Sequence, residues 1–101
     1  MIERHAYFRF HDEYSNDASR AEAVAASRDL LPKVPGVVSA TVGVPADEDC
    51  HSKWDLMLII RFNSVDDIEG YIVHPTHQKL VQETLKPRIK VRKVWNFDVS
   101  E

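Results

Sequence analysis

The sequence predicts an α+β fold in which strands and helices follow in the order β-α-β-β-α-β. Three segments show the two-residue alternation of strands, a fourth is a short apolar run typical of a buried strand, and two regions show the helical spacing of apolar residues. The connections between them are short, and right-handed crossovers restrict the topology further. The order therefore predicts a ferredoxin-like βαββαβ plait, a four-stranded antiparallel sheet with both helices on one face.

The predicted strands differ in their two sides. The first, residues 2–11, has an apolar side and a polar, aromatic-rich side. The apolar side holds Ile2, Ala6, Phe8 and Phe10, and the polar side holds Glu3, His5, Tyr7, Arg9 and His11. The second strand, 37–44, is rich in β-branched residues. The third, 54–62, is apolar on both sides from 56 to 60, and the last, 90–99, carries Trp95 and Phe97 on one side.

The predicted helices have clear start and stop signals. Residues 19–31 are rich in alanine and begin with a capping box formed by Ser19 and Glu22. The second helical region starts near residue 64 and is divided at Pro75, because proline fits the first turn of a helix and not its interior. We expect one helix ending near residue 73 and another from 75 to 85, stopped by Pro87. Residues 46–53 are predicted to be a polar, mobile loop.

The length of 101 residues predicts one domain, residues 1–101, with a thin core. A lone plait leaves one face of its sheet uncovered, although the third strand is apolar on that side as well. Soluble monomers rarely expose large apolar surfaces. We therefore expect a homodimeric α/β barrel with the two sheets packed face to face, enclosing a cavity for a small ligand.

Composition and motifs exclude several classes of protein. The net charge of −3 argues against a nucleic-acid binder, because affinity for phosphate backbones needs clustered cations. No apolar signal region or membrane-spanning stretch is present. The single cysteine, Cys50, cannot form a disulfide within the chain, so we expect a cytoplasmic location. No glycine-rich phosphate loop or Ser-His-Asp motif points to nucleotide chemistry or covalent hydrolysis.

Residues 71–77, Tyr-Ile-Val-His-Pro-Thr-His, contain the main candidate for chemistry. On one continuous helix Tyr71 and His77 would point about 120° apart, but the break at Pro75 permits them to converge. Histidine is the commonest general base, and a phenol can polarise a carbonyl oxygen. Two interpretations remain open: a catalytic pair for proton abstraction beside a carbonyl, or a packed corner between two helices.

The two histidines of this stretch, His74 and His77, also have a spacing compatible with a shared metal ion. A spacing of four residues with a nearby carboxylate would be a stronger signal. His74 stands directly before Pro75, where it suits the N-cap of the following helix. We favour the cap and predict no metal site.

Three further residues are predicted to bind substrate: His5, Tyr7 and Asp98. The first and last strands are neighbours in the plait, and we expect residue 5 to lie opposite about residue 96. That register places His5 and Tyr7 on the face of Asp98, towards the cavity between the sheets, and Asp98 would orient a histidine. The alternative is that these residues are solvated at strand ends.

These residues resemble the stress-responsive α/β-barrel (Dabb) domain along nearly the whole chain. Tyr-x-x-His-Pro-x-His at residues 71–77 is the most specific element. The weaker matches are His5, Phe8-Arg9-Phe10, Pro35-Gly36-Val37, Asp55, Phe62-Asn63-Ser64 and Phe97-Asp98. The resemblance implies a dimeric α+β barrel of ferredoxin-like subunits.

The resemblance also implies a range of functions. Most members have no established activity, and some plant members are stress-induced oligomers. One branch consists of polyketide cyclases of the olivetolic acid cyclase type, which use a tyrosine and a histidine and no cofactor. By motif position these would be Tyr71 and His77, with His5 lining the site. We therefore expect a cofactor-independent binder or enzyme acting on a carbonyl, polyketide-like substrate. A non-catalytic stress-related protein is the alternative, and a cofactor-free monooxygenase is a third.

Overall fold

The computed structural model describes residues 1–100. They form one antiparallel sheet in the order β2-β3-β1-β4, which confirms the predicted ferredoxin-like α+β fold. The strands are β1 (Ile2–Phe10), β2 (Ser39–Gly43), β3 (Leu56–Phe62) and β4 (Ile89–Asp98). The helices are α1 (Asp17–Leu30), α2 (Glu48–His51), α3 (Asp66–Val73), α4 (Pro75–Leu80) and α5 (Lys86–Arg88). Short 3₁₀ turns occupy Asp12–Tyr14 and Leu31–Lys33, and a π-helical turn, Val81–Leu85, joins α4 to α5.

One face of the sheet is covered by helices, and we call it the helix face. On it, Ala6 of β1 lies opposite Leu58 of β3, and both are buried. The core also takes Ala23 and Leu31 from the α1 region and Leu80 from α4. The other face, which we call the open face, carries His5 and Tyr7 together with Met57 and Ile59 of β3. The prediction that β3 is apolar on both sides is confirmed.

The register between β1 and β4 differs from the prediction by one residue. His5 lies opposite Trp95 rather than residue 96. Because side chains alternate along a strand, a slip of one residue moves every side chain to the other face. Trp95 and Phe97 therefore share the open face with His5, and Asp98 lies opposite Ile2 on the helix side. The expectation that Asp98 shares a face with His5 was wrong.

The helix boundaries also correct some sequence-based expectations. Asn16, not Ser19, caps α1, and its side-chain oxygen accepts the Ser19 backbone N–H at 2.9 Å. Ser19 is buried instead, and its hydroxyl accepts a hydrogen bond from Arg88 Nε at 3.0 Å. Pro87 does not end the helical region, because it lies in the first turn of α5. The predicted loop at 46–53 contains α2, capped by the Asp47 side chain.

Asp55, just before β3, connects several of these elements in the interior. Its carboxylate is 2% exposed, so the chain itself has to satisfy it. One oxygen accepts the Phe10 backbone N–H at 2.7 Å. The other accepts the Ser15 hydroxyl at 2.7 Å and two Arg20 guanidinium N–H groups at 3.0 and 2.9 Å. The end of β1, the start of α1 and the entry to β3 are thereby joined.

We expect Asp55→Asn to lower the free energy of unfolding by about 3–5 kcal/mol, because the buried Arg20 guanidinium then keeps only the solvent-exposed carboxylate of Asp17 as a counter-charge. Urea denaturation followed by circular dichroism measures the change. The matched control is Asp49→Asn, which breaks an exposed ion pair with Lys53 and should cost less than about 1 kcal/mol. Equal losses in the two variants would contradict the role assigned to Asp55.

Candidate functional site

The site is built on the break between α3 and α4. Pro75 has no backbone N–H and begins α4, and His74 before it has an extended conformation. The Nδ1 atom of His74 accepts the Thr76 backbone N–H at 3.1 Å. The predicted division of the helical region at Pro75 is confirmed, and so is the predicted N-cap position of His74. Its ring is thereby engaged in capping.

The break changes the partners of the Ile72 carbonyl. In an unbroken helix this oxygen would accept the N–H of Thr76, but that N–H is bound to His74. The carbonyl accepts instead from His77 Nδ1 at 2.9 Å and from Gln78 Nε2 at 2.7 Å. A carbonyl oxygen can only accept, so Nδ1 of His77 carries the proton in the neutral ring. The Nε2 atom then holds the free lone pair.

Tyr71 and His77 lie side by side. Their ring centroids are 4.3 Å apart, with the planes inclined at 43°. Tyr71 is 3% exposed and also packs edge-on against Phe62, with centroids 5.1 Å apart. Burial raises the pKa of Tyr71 to about 12, with a smaller opposing effect from Arg4. Within residues 1–100 its hydroxyl has no hydrogen-bond partner, so it is a protonated donor that a ligand can engage.

The His77 ring is held in its neutral form. Burial is the largest cause that lowers its pKa below the ordinary 6.5, and the nearby charges of Arg4 and Arg92 lower it further. The hydrogen bond to the Ile72 carbonyl acts in the opposite direction and is outweighed. At neutral pH the imidazole is therefore uncharged and its Nε2 atom is able to accept a proton.

A cavity of about 390 Å³ opens next to this pair, between the sheet and the helices α3 and α4. We call it the helix-side pocket. Its volume lies within the range of small-molecule sites, and its walls are mostly apolar with a few convergent polar groups. The lining residues with polar or charged side chains are Arg4, Tyr71, His77, Gln78, Lys86 and Arg92.

Of the five site residues predicted from sequence, only Tyr71 and His77 line this pocket. His5 and Tyr7 lie on the open face, where His5 Nδ1 is 3.1 Å from the Tyr7 hydroxyl and Nε2 is 3.0 Å from a Glu3 carboxylate oxygen. Asp98 is exposed at the end of β4, 4.0 Å from the N-terminal ammonium. The sheet separates the Tyr71–His77 pair from the open face, so the catalytic candidates and the predicted substrate-binding residues do not share one cavity.

Arg4 and Arg92 are pocket residues that the sequence interpretation missed. Arg4 is an even-numbered residue of β1, so the alternation that placed Ala6 and Phe8 on the helix face already indicated its side. Arg92 lies opposite Phe8 on the neighbouring strand, and its side depended on the register of β4. Both guanidinium groups act electrostatically on His77.

Comparison with known proteins identifies the family. The model of the Stress responsive A/B Barrel Domain (Dabb) matches residues 2–100. The chain belongs to the Dabb family. No curated protein matches the sequence. No helix within residues 1–100 of this Dabb protein has the length and apolar character needed to cross a membrane.

Solved structures with the same fold share little sequence with this Dabb protein. A dimeric ferredoxin-like protein of unknown function from Thermobifida fusca has a TM-score of 0.83 and 18% identity, covering 97% of this chain and 90% of that one. A Dabb family protein from Mesorhizobium loti has a TM-score of 0.80 and 13% identity, with coverages of 99% and 97%. A hydroxynitrile lyase from Passiflora edulis has a TM-score of 0.79 and 14% identity, with coverages of 99% and 94%. At these identities the similarity establishes the fold alone.

The lowered pKa of His77 predicts how stability depends on pH. The folded chain holds this ring neutral below 6.5, where the unfolded chain protonates it. The contribution of His77 to the free energy of unfolding is therefore complete above about pH 6.5 and is lost as the pH falls towards the folded pKa. His77→Asn keeps a donor near the Ile72 carbonyl and removes the titration.

Urea denaturation at about pH 7.5 and about pH 5 measures this dependence. We expect the loss of stability on acidification to be smaller in His77→Asn than in the wild type. His11→Asn, at an exposed histidine, is the control and should keep the wild-type dependence. An unchanged pH dependence in His77→Asn would show that His77 titrates as it does in the unfolded chain.

Proposed function

We propose that this Dabb protein binds a small carbonyl compound in the helix-side pocket and removes a proton from the carbon beside the carbonyl, without a cofactor. His77 is the general base and Tyr71 the donor to the carbonyl oxygen. One observation supports the proposal above all: a neutral phenol and a neutral imidazole with a free Nε2 lie 4.3 Å apart, centroid to centroid, at a largely apolar cavity.

The proposed step follows from the states of the two groups. His77 Nε2 takes the proton, the electrons of the C–H bond form a carbon–carbon double bond, and the carbonyl oxygen becomes an enolate oxygen. The Tyr71 hydroxyl donates a hydrogen bond to this developing negative charge, and its raised pKa keeps it protonated. The imidazolium then returns the proton. In a substrate with a second carbonyl, the enolate carbon attacks that group and forms a ring, the reaction class of the polyketide cyclase branch that the sequence resembles.

Deuterium exchange tests this step without knowledge of the natural substrate. Acetophenone in heavy water exchanges its methyl protons slowly, and proton NMR follows the loss of the methyl signal. We expect the wild-type protein to accelerate the exchange. His77→Asn should lower the rate by about 10²–10⁴-fold, because the base is removed. Tyr71→Phe should lower it by about 10²–10³-fold, because one donor to the enolate oxygen is lost.

His11→Asn is the matched control and should keep the wild-type exchange rate, since His11 is exposed and lines no part of the pocket. An exchange rate equal to that of buffer, or a rate that His77→Asn leaves unchanged, would reject the proposal. The result would then favour the non-catalytic alternative, in which Tyr71 and His77 serve only to pack the corner between α3 and α4.

We further propose that a second copy of the chain covers the open face. Trp95 is 49% and Phe97 52% exposed there. Soluble monomers rarely expose large apolar patches to water. The His5 ring packs edge-on against Phe97 with centroids 5.4 Å apart, and the Tyr7 ring lies 6.2 Å from both His5 and Trp95, so these aromatic side chains form one continuous patch. The Thermobifida fusca neighbour is described as dimeric, which supports the same assembly for this chain.

Trp95→Lys tests the proposed dimer, because a charge on the open face would have to be buried between the two copies. We expect the variant to be a monomer by light scattering where the wild type is a dimer. Val73→Lys, at an apolar residue of α3 that is more exposed than Trp95, is the control and should remain dimeric. Wild-type assembly in Trp95→Lys would count against this surface.

The proposed location is the cytoplasm. Cys50 is the only cysteine of the sequence, so no disulfide can form within one chain. Small secreted domains with thin cores commonly depend on disulfides, which are rare in reducing compartments. A fold of this size without them is typical of the cytoplasm.

A further inference from the structure

The charges at the helix-side pocket have one sign. Arg4, Lys86 and Arg92 line it, and none of its lining residues is acidic. The whole chain has a net charge of −3, so this cluster is opposite in sign to the protein that carries it. A cluster of cations in a concave, mostly apolar site raises the local concentration of anions.

Within residues 1–100, neither Arg4 nor Arg92 forms an ion pair with a carboxylate. Arg4 is half-buried, and its hydrogen bond within residues 1–100 is to the neutral side chain of Asn96, at 3.1 Å. Arg92 has no hydrogen bond or ion pair with any residue in that range. Two other arginines of the same fold do pair with carboxylates, Arg20 with Asp55 and Arg88 with Glu22.

In the free chain, the charged guanidinium of Arg4 is therefore less stable than it would be in water. Burial has the largest effect and lowers its pKa, Tyr71 acts in the opposite direction, and the like charge of Arg92 lowers the pKa further. A guanidinium that is partly removed from water gains most from a planar acceptor, which takes two parallel N–H groups at once. A carboxylate is such an acceptor. The apolar side chains of Leu58, Ile60 and Val94 are available for the body of the same ligand.

We propose that the pocket selects small keto acids: Arg4 and Arg92 bind the carboxylate, and the carbonyl lies at Tyr71 and His77. This inference rests on the proposed function and adds the substrate class to it. The arginines bind the anion in the ground state, so they determine which carbonyl compounds enter the pocket. They take no part in the proton transfer itself.

Two probes that differ only in charge test the selection. The acid 4-oxo-4-phenylbutanoate and the neutral 4-oxo-4-phenylbutanamide carry the same ketone and the same ring. Isothermal titration calorimetry on the full chain measures both affinities. We expect the acid to bind about tenfold tighter or more, the size of effect expected from charge-assisted hydrogen bonds. Added salt should lower the affinity for the acid and leave the affinity for the amide unchanged.

Substitution of the arginines assigns the effect to residues. Arg4→Gln and Arg92→Gln should each lower the affinity for the acid about tenfold and change the affinity for the amide less than about twofold. Unchanged binding of the amide shows that each variant is folded. Arg4→Lys keeps the charge and should retain part of the preference for the acid. Lys79→Gln removes one positive charge from an exposed site on α4 outside the pocket lining and should change neither affinity.

Equal affinities for the two probes, or no detectable binding of the acid at millimolar concentration, would overturn the proposal. The proposal would also be overturned if Lys79→Gln lost as much affinity for the acid as Arg4→Gln. Failure of the proposed function gives a different pattern, in which the acid binds in an arginine-dependent way but deuterium exchange beside the ketone is absent. Exchange without any preference for the acid would overturn the keto-acid selection alone.

Discussion

Asp55 lies in the interior of a small protein, where a buried carboxylate is stable only if the chain provides hydrogen-bond partners for its oxygens. Its partners come from three separate places: the backbone at Phe10, the hydroxyl of Ser15 and the guanidinium of Arg20. The hydrogen bonds to these three partners hold the end of β1 against β3 and α1 against the sheet. The position of β1 in turn decides where Arg4 stands relative to Tyr71, so the pocket on one side of the sheet depends on an ion pair elsewhere in the fold.

The pocket itself derives its chemistry from a missing hydrogen bond. Proline at 75 interrupts the helix, and the N–H that would have served Ile72 is used by His74. The released carbonyl then fixes the ring of His77 and leaves its outer nitrogen free. The same break allows the ring of His77 to turn towards Tyr71, which one straight helix would prevent. A backbone irregularity thus prepares both the tautomer and the orientation of the imidazole.

The sequence predicted those features that depend on local patterns. Alternation predicted three strands, a continuous apolar run predicted β3, and Pro75 predicted the break between α3 and α4, because all of these signals act within a few residues. The pairing of β1 with β4 depends on distant chain geometry, and an error of one residue placed Asp98 on the wrong face. Ser19 failed as a cap for a similar reason: Asn16 is an equally good cap, and the distant Arg88 engages Ser19 instead. Arg4 was visible in the alternation, but a charge on an apolar side was not recognised as part of a site.

Strand β1 serves two surfaces at once. Its residues Arg4, Ala6 and Phe8 line the pocket, and the residues that alternate with them, His5 and Tyr7, face the open side. An insertion of one residue in this strand would exchange the two sets and destroy both surfaces together. Substitutions do not carry that risk, since a new side chain at an even position leaves the odd ones in place. A substitution at Arg4, Ala6 or Phe8 can therefore change the lining of the helix-side pocket without altering the open face, provided that the length of the strand is preserved.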